Sequence, residues 1–122
     1  MDKKDLERRT KKFALAVIKF IADLPNNKIT NVLGYQLLKC GTSIGANYRE
    51  ANRAQSRKDF IHKVAVVEKE ASETRYWLEL FDALQIGDPQ IRSWLLQESG
   101  ELLAIFTSTG RTAKRRQKRK SS

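Results

Sequence analysis

Between residues 47 and 63 the chain places Asn47, Arg49, Glu50, Arg53, Arg57, Lys58, Asp59, His62 and Lys63 within a few helical turns. Guanidinium and ammonium groups at this density suit a phosphate, which accepts charge-assisted and often bidentate hydrogen bonds. Arg49 and Arg53 are one helical turn apart and share a face if the helix continues through both. Arg57, Lys58 and Lys63 follow at the start of the next helix, where free backbone N–H groups favour an anion. The competing arrangement is ion pairing of these arginines with Glu50, Asp59 or acids of a neighbouring subunit.

Two other groups bear on chemistry. His62 is the only histidine, and Arg57 to His62 fits the loose Arg-x4-His pattern of metal-independent helical ribonucleases. Such a pair would supply a general acid/base and a phosphate clamp. Five helical steps, however, turn the two side chains about 140° apart, so they diverge if Arg57 is helical. Asn47 lies on an otherwise apolar face and needs a polar partner, with Glu70, Ser72, Glu73 and Glu98 as candidates. We expect it to set register, together with Glu50, Ser56 and Asp59 as structural polar residues. The sequence has no glycine-rich phosphate loop and no paired histidine–carboxylate metal set, and we expect neither cofactor nor metal.

A second basic cluster closes the chain. Arg111, Lys114, Arg115, Arg116, Lys118, Arg119 and Lys120 follow Gly110 with no acid among them. They supply seven of the 24 basic residues and most of the net charge of +10, so the rest of the chain is near balance. Ala113 is the only apolar residue after Gly110, so the sequence predicts a disordered tail over residues 110–122. Dense positive charge favours polyanions through counterion release, and RNA is the preferred target.

Four helices must position these groups. Leu6, Phe13, Val17, Phe20 and Leu24 mark a helix over residues 5–24, stopped by Pro25. Leu33, Leu37, Cys40, Ile44, Asn47 or Tyr48, and Ala51 mark a second over 28–53. Gly41 and Gly45 fall on one of its faces and allow close approach of a neighbour, with a break near Gly41 as the competing outcome. Ser56 is a natural N-cap for a third helix over 57–86, with Asp59 as capping-box partner. Its seam, from Phe60 through Val64, Val67, Ala71, Thr74 and Leu78 to Phe81, alternates four and three apart. Gly87 suits a left-handed C-terminal cap. Asp88-Pro89 opens a fourth helix over 89–108, faced by Ile91, Leu95, Glu98, Leu102 and Ile105 and ended by Gly110. Short connections imply an all-α, up-down-up-down antiparallel bundle over residues 1–109.

At 122 residues the chain suffices for one domain with its own core. Its one cysteine, Cys40, forms no intramolecular disulfide and reads as a small buried thiol, pointing to a cytoplasmic setting. The run from Phe13 to Ala22 is interrupted by Lys19 and reads as an amphipathic helix, not a membrane span or signal peptide. Trp77 and Trp94 read as core or interface aromatics, and Tyr35, Tyr48 and Tyr76 as structural.

Helices two and three resemble the bacterial 23S rRNA intervening sequence protein family. The resemblance rests on Ser43-Ile44-Gly45-Ala46-Asn47-Tyr48-Arg49-Glu50-Ala51, Ser56-Arg57-Lys58-Asp59-Phe60 and Glu70-Ala71-Ser72-Glu73-Thr74-Arg75-Tyr76-Trp77-Leu78. Many relatives carry Ile-Ala-Glu-Gly where this chain has Tyr48-Arg49-Glu50-Ala51. The resemblance implies a left-handed four-helix bundle that assembles as a homopentameric ring, with no established catalytic residues. The family is also similar to accessory proteins of diversity-generating retroelements, which bind a reverse transcriptase and nucleic acid. The expected function is thus a non-enzymatic, oligomeric RNA- or ribonucleoprotein-binding bundle. The alternatives are a protein-interaction scaffold or accessory subunit of a reverse transcriptase, and, third, a ribonuclease using Arg57 and His62. No membrane partner is expected.

Overall fold

The computed structural model describes residues 1–121, with side chains through Arg119. Four helices follow one another: α1 (Lys3–Ala22), α2 (Lys28–Ala51), α3 (Arg57–Ala83) and α4 (Pro89–Ser121). No strand occurs among the described residues.

The helices form an antiparallel bundle whose register is fixed by small residues. A Cβ on Gly34 would lie 3.5 Å from Ile21, one on Gly41 3.1 Å from Val17, and one on Gly45 3.0 Å from the Thr10 hydroxyl. Ascending α2 thus descends α1, and the two backbones approach where Gly41 and Gly45 remove side-chain bulk. Helices α3 and α4 pair in the same sense. Gly100 lies against the Arg75 guanidinium, Thr107 donates to Glu68 at 2.7 Å, and Gly110 faces Val64. The core is filled by Phe13, Phe20, Phe81 and Phe106 with Leu37, Ile44, Leu78, Leu95 and Leu102, all essentially inaccessible. Phe20 meets Phe81 edge-on, with ring centroids 5.5 Å apart.

The predicted seam of α3 is buried from Val64 to Phe81, while Phe60 is only partly covered. On α4 the buried stripe runs through Leu95, Ser99, Leu102 and Phe106, so Glu98 and Ile105 flank the core instead of centring on it. Helix α2 passes Gly41 without a break. Asp2 and Asp5 form a reciprocal capping box, which starts α1 at Lys3 in place of residue 5. Asn27 caps α2 by accepting from Thr30 N–H.

Three terminations differ from the sequence-based expectation. First, α2 ends at Ala51, and Arg53 lies in the connection, its N–H donating to the Glu50 carbonyl. Second, α3 ends at Ala83, and the left-handed residue after its cap is Gln85 (φ 56°), not Gly87. Gln85 N–H bonds Asp82 O and Ile86 N–H bonds Phe81 O, the paired bonds of a Schellman motif. Gly87 is also left-handed, at φ 87°, but lies beyond the cap, and a Cβ there would in addition sit 2.5 Å from the Phe20 ring.

Third, Gly110 does not end α4. The helix runs on to Ser121, so the segment predicted to be a disordered tail is helical over the described residues. A glycine inside a helix costs only about 1 kcal/mol relative to alanine. Ala113, 5% exposed, lines a cleft with Arg57 and Phe60 at the start of α3, and Arg, Lys and Gln are good helix formers. Cations also suit the negative C-terminal end of a helix dipole. Ser122 lies outside the described residues, as does the Lys120 side chain.

Candidate nucleic-acid interface

The chain's two basic clusters meet at one end of the bundle. That end gathers the starts of α1 and α3, the end of α2, and the stretch of α4 beyond Gly110. Ser56 caps α3 as predicted, accepting from Asp59 N–H at 3.1 Å. Asp59 does not return the bond to Ser56. It accepts from Gln55 N–H at 3.3 Å and pairs with Lys63 Nζ at 3.0 Å, and this bond to Lys63 holds its carboxyl below the usual range. The expected partnership of Asp59 and Glu50 with the arginines is therefore not formed within this chain. Lys63 takes Asp59, and Glu50 is exposed.

The carboxylate that does enter the joint comes from α1, which sequence reasoning missed. Glu7 accepts from Asn52 Nδ2 at 2.9 Å and stands 4.0 Å from Arg49 Nε. Arg49 remains half-exposed. Arg53 and Lys58 are exposed and form no ion pair with a described residue. Asn47 is also corrected: its amide donates to the Ser43 carbonyl of its own helix at 2.9 Å instead of bridging to α3 or α4. Tyr48 takes the buried position instead, with its ring centroid 5.2 Å from that of Phe106.

Arg57 opens α3 with its stem packed and its Nε sealed from solvent without a hydrogen-bond partner. It lines a cleft of about 430 Å³ together with Phe60, Ser108, Thr112, Ala113 and Arg116. Arg116 lies about one turn beyond the buried Ala113, so the helical continuation brings a residue of the expected tail to the cleft lined by Arg57. Arg111, Lys114, Arg115, Lys118 and Arg119 are exposed on the same extension.

His62 is exposed and absent from this cleft. With Arg57 helical, the two side chains diverge as the helical geometry requires. Cys40 is buried, its thiol 3.7 Å from Leu37 O, and burial pushes its pKa up.

Two further anchors were not read from sequence. Arg9 forms a bidentate pair with Glu98 at 2.8 Å and reaches Glu101 at 2.9 Å, tying α1 to α4. Arg92, 3% exposed, bonds Asp82 at 2.9 Å and the carbonyls of Ile86 and Gly87 at 3.0 and 2.9 Å. Glu98 interrupting an apolar run was the available signal for the first. Arg92 gave none, because two of its three partners are backbone carbonyls of a turn.

No described helix is long and apolar enough to cross a membrane. No curated protein matches the chain. A crystal structure of a protein of unknown function from the S23 ribosomal protein family of Bacteroides thetaiotaomicron is similar, at 35% identity and a TM-score of 0.82. The match covers 91% of this chain and 99% of that one. Residues 3–108 match the family described as 23S rRNA-intervening sequence protein, and the chain belongs to that family.

Proposed function

We propose that this protein is a non-enzymatic, oligomeric bundle that binds structured RNA or a ribonucleoprotein through the end of the molecule where α4 runs past the core. The observation that carries the reading is the cationic rod itself. From residue 102 onward the chain has no acid, and Arg111, Lys114, Arg115, Arg116 and Lys118 are all exposed on a helix anchored through Ala113. A rod of this kind neutralises several phosphates without refolding, so ordering costs less than for a disordered tail. Arg53 and Lys58 extend the same basic end, flanked by Arg49 and Lys63, which face Glu7 and Asp59, and Lys120 adds a further positive charge to the sequence there.

Self-association is part of the proposal, with the homopentameric ring as its specific form. Leu15 and Ile18 on α1, and Ile29, Val32, Tyr35 and Leu38 on α2, are large apolar residues left between 38% and 66% exposed. Exposed apolar side chains concentrated on one helix pair mark an association surface. Several basic rods on one particle would then act through effective concentration. The same apolar pair favours the second reading, a scaffold or accessory subunit that holds a partner protein such as a reverse transcriptase.

Fluorescence anisotropy with a structured RNA over a salt series tests the main reading. Deletion of residues 111–122 is expected to weaken binding sharply and flatten the dependence of log K on log salt. Unchanged affinity after that deletion rules out the rod. Specific capture of one protein from nuclease-treated lysate, together with absent RNA binding, favours the scaffold.

A further inference from the structure

We infer that the cleft between the start of α3 and the extension of α4 is a phosphate site, in which Arg57 and Arg116 clamp one phosphoryl group of a polynucleotide. The inference rests on the nucleic-acid reading above and assigns that interface its point of specific contact.

Three features of the cleft carry it. The first is its charge. Two arginines line it and no described Asp or Glu does. Asp2, next to the cleft-lining Met1 in sequence, is committed to capping α1 through Asp5 N–H at 2.8 Å. Neither the Arg57 nor the Arg116 side chain has an ion pair or hydrogen bond with a described residue. This sets them apart from Arg9, Arg49 and Arg92, each of which faces a carboxylate.

The second feature is fixation. Arg57 is held by packing, its Nε closed off from water, so its remaining N–H groups are oriented before any ligand arrives. Arg116 is placed by the buried Ala113, one turn earlier on α4. Arginines from two helices, one of them pre-oriented, suit the planar bidentate recognition of a phosphate better than scattered surface lysines.

The third feature is the wall. Ser108 and Thr112 offer hydroxyls with no intramolecular hydrogen bond, and partly buried Phe60 presents an aromatic surface. A volume of about 430 Å³ exceeds the needs of a lone inorganic ion and accommodates a phosphate with its attached sugar. Two sources share this chemistry: a backbone phosphodiester, and the terminal phosphomonoester of a strand.

The test titrates the full chain with one short single-stranded RNA, either 5′-phosphorylated or 5′-hydroxylated. It compares Arg57→Gln, Arg116→Gln and, as a control of equal charge loss outside the cleft, Lys114→Gln. Circular dichroism verifies each fold. Loss of a bidentate charge-assisted contact is expected to weaken binding about tenfold for each arginine variant. The control is expected to lose about twofold, as a single exposed phosphate neighbour does. Equal losses on both RNAs identify the phosphodiester. Losses confined to the phosphorylated RNA identify the terminal group. If Arg57→Gln and Arg116→Gln behave as Lys114→Gln does, the cleft is not a site, while diffuse binding by the rod stands. If the unaltered protein binds neither RNA, the wider reading is decided by the structured-RNA titration above, and inorganic phosphate decides the cleft alone. Saturable amide shifts at residues 109–113 that vanish in Arg57→Gln would then sustain it, and their absence would overturn it.

Discussion

Arg92 holds the α3–α4 turn together from inside. Its guanidinium spans Asp82 and the carbonyls of Ile86 and Gly87, three acceptors that no apolar side chain satisfies. Arg92→Leu is expected to destabilise the fold by about 2–4 kcal/mol, read as a lowered urea midpoint, because two turn carbonyls lose their partner. Arg92→Lys should recover little of this, since an ammonium lacks the fork that reaches three acceptors. Glu70 behaves in the opposite sense. Burial raises its pKa, with the neighbouring Glu73 charge adding to the effect. A carboxyl whose folded pKa lies above its unfolded value favours folding while protonated, and that contribution is lost as pH rises through the folded pKa. Glu70→Gln is therefore expected to raise the melting temperature at pH 7, with the gain disappearing near pH 4. Thermal melts at the two pH values check it. Residue-level roles were the hardest to read from the sequence. Ser56 was legible because an N-cap is a local signal, whereas Glu7, Arg9 and Arg92 act on groups fixed by other helices or by turn backbone.

At the scale of elements, the heptad pattern of α3 was legible because its period survives for three heptads without a polar break. Helix ends were less so. Gly110 carries the strongest disagreement: its residue type favours a helix stop, yet the structure continues through it. Gly110→Ala separates the two possibilities. A Cβ there would stand 3.6 Å from Val64, an ordinary contact, so alanine is expected to stabilise the protein by about 0.5–1 kcal/mol and raise its helicity. A glycine in a left-handed cap would respond with destabilisation instead. Gly45→Ala should show the reverse outcome. Its Cβ would come within 3.0 Å of the Thr10 hydroxyl and 3.5 Å of that residue's backbone carbonyl carbon. Separation of α1 from α2 is expected to outweigh the helix-propensity gain and lower the melting temperature.

For the whole molecule, the prediction concerns association. Tyr35→Glu and Ile18→Glu place charges on the exposed α1–α2 surface without entering the core. Each is expected to shift the particle towards monomer in light scattering while leaving the helical signal of the bundle intact; an unchanged mass would exclude that surface as the contact. The all-helical class, the four-element order and most of the interior followed from the sequence alone, because helical period and short connections are local properties that leave one compact antiparallel solution. The meeting of Arg57 with Arg116 did not follow. Those residues are far apart in sequence, and their proximity depends on α4 continuing past Gly110. That continuation buries Ala113 in the cleft lined by Arg57 and Phe60, a long-range arrangement that no local pattern encodes.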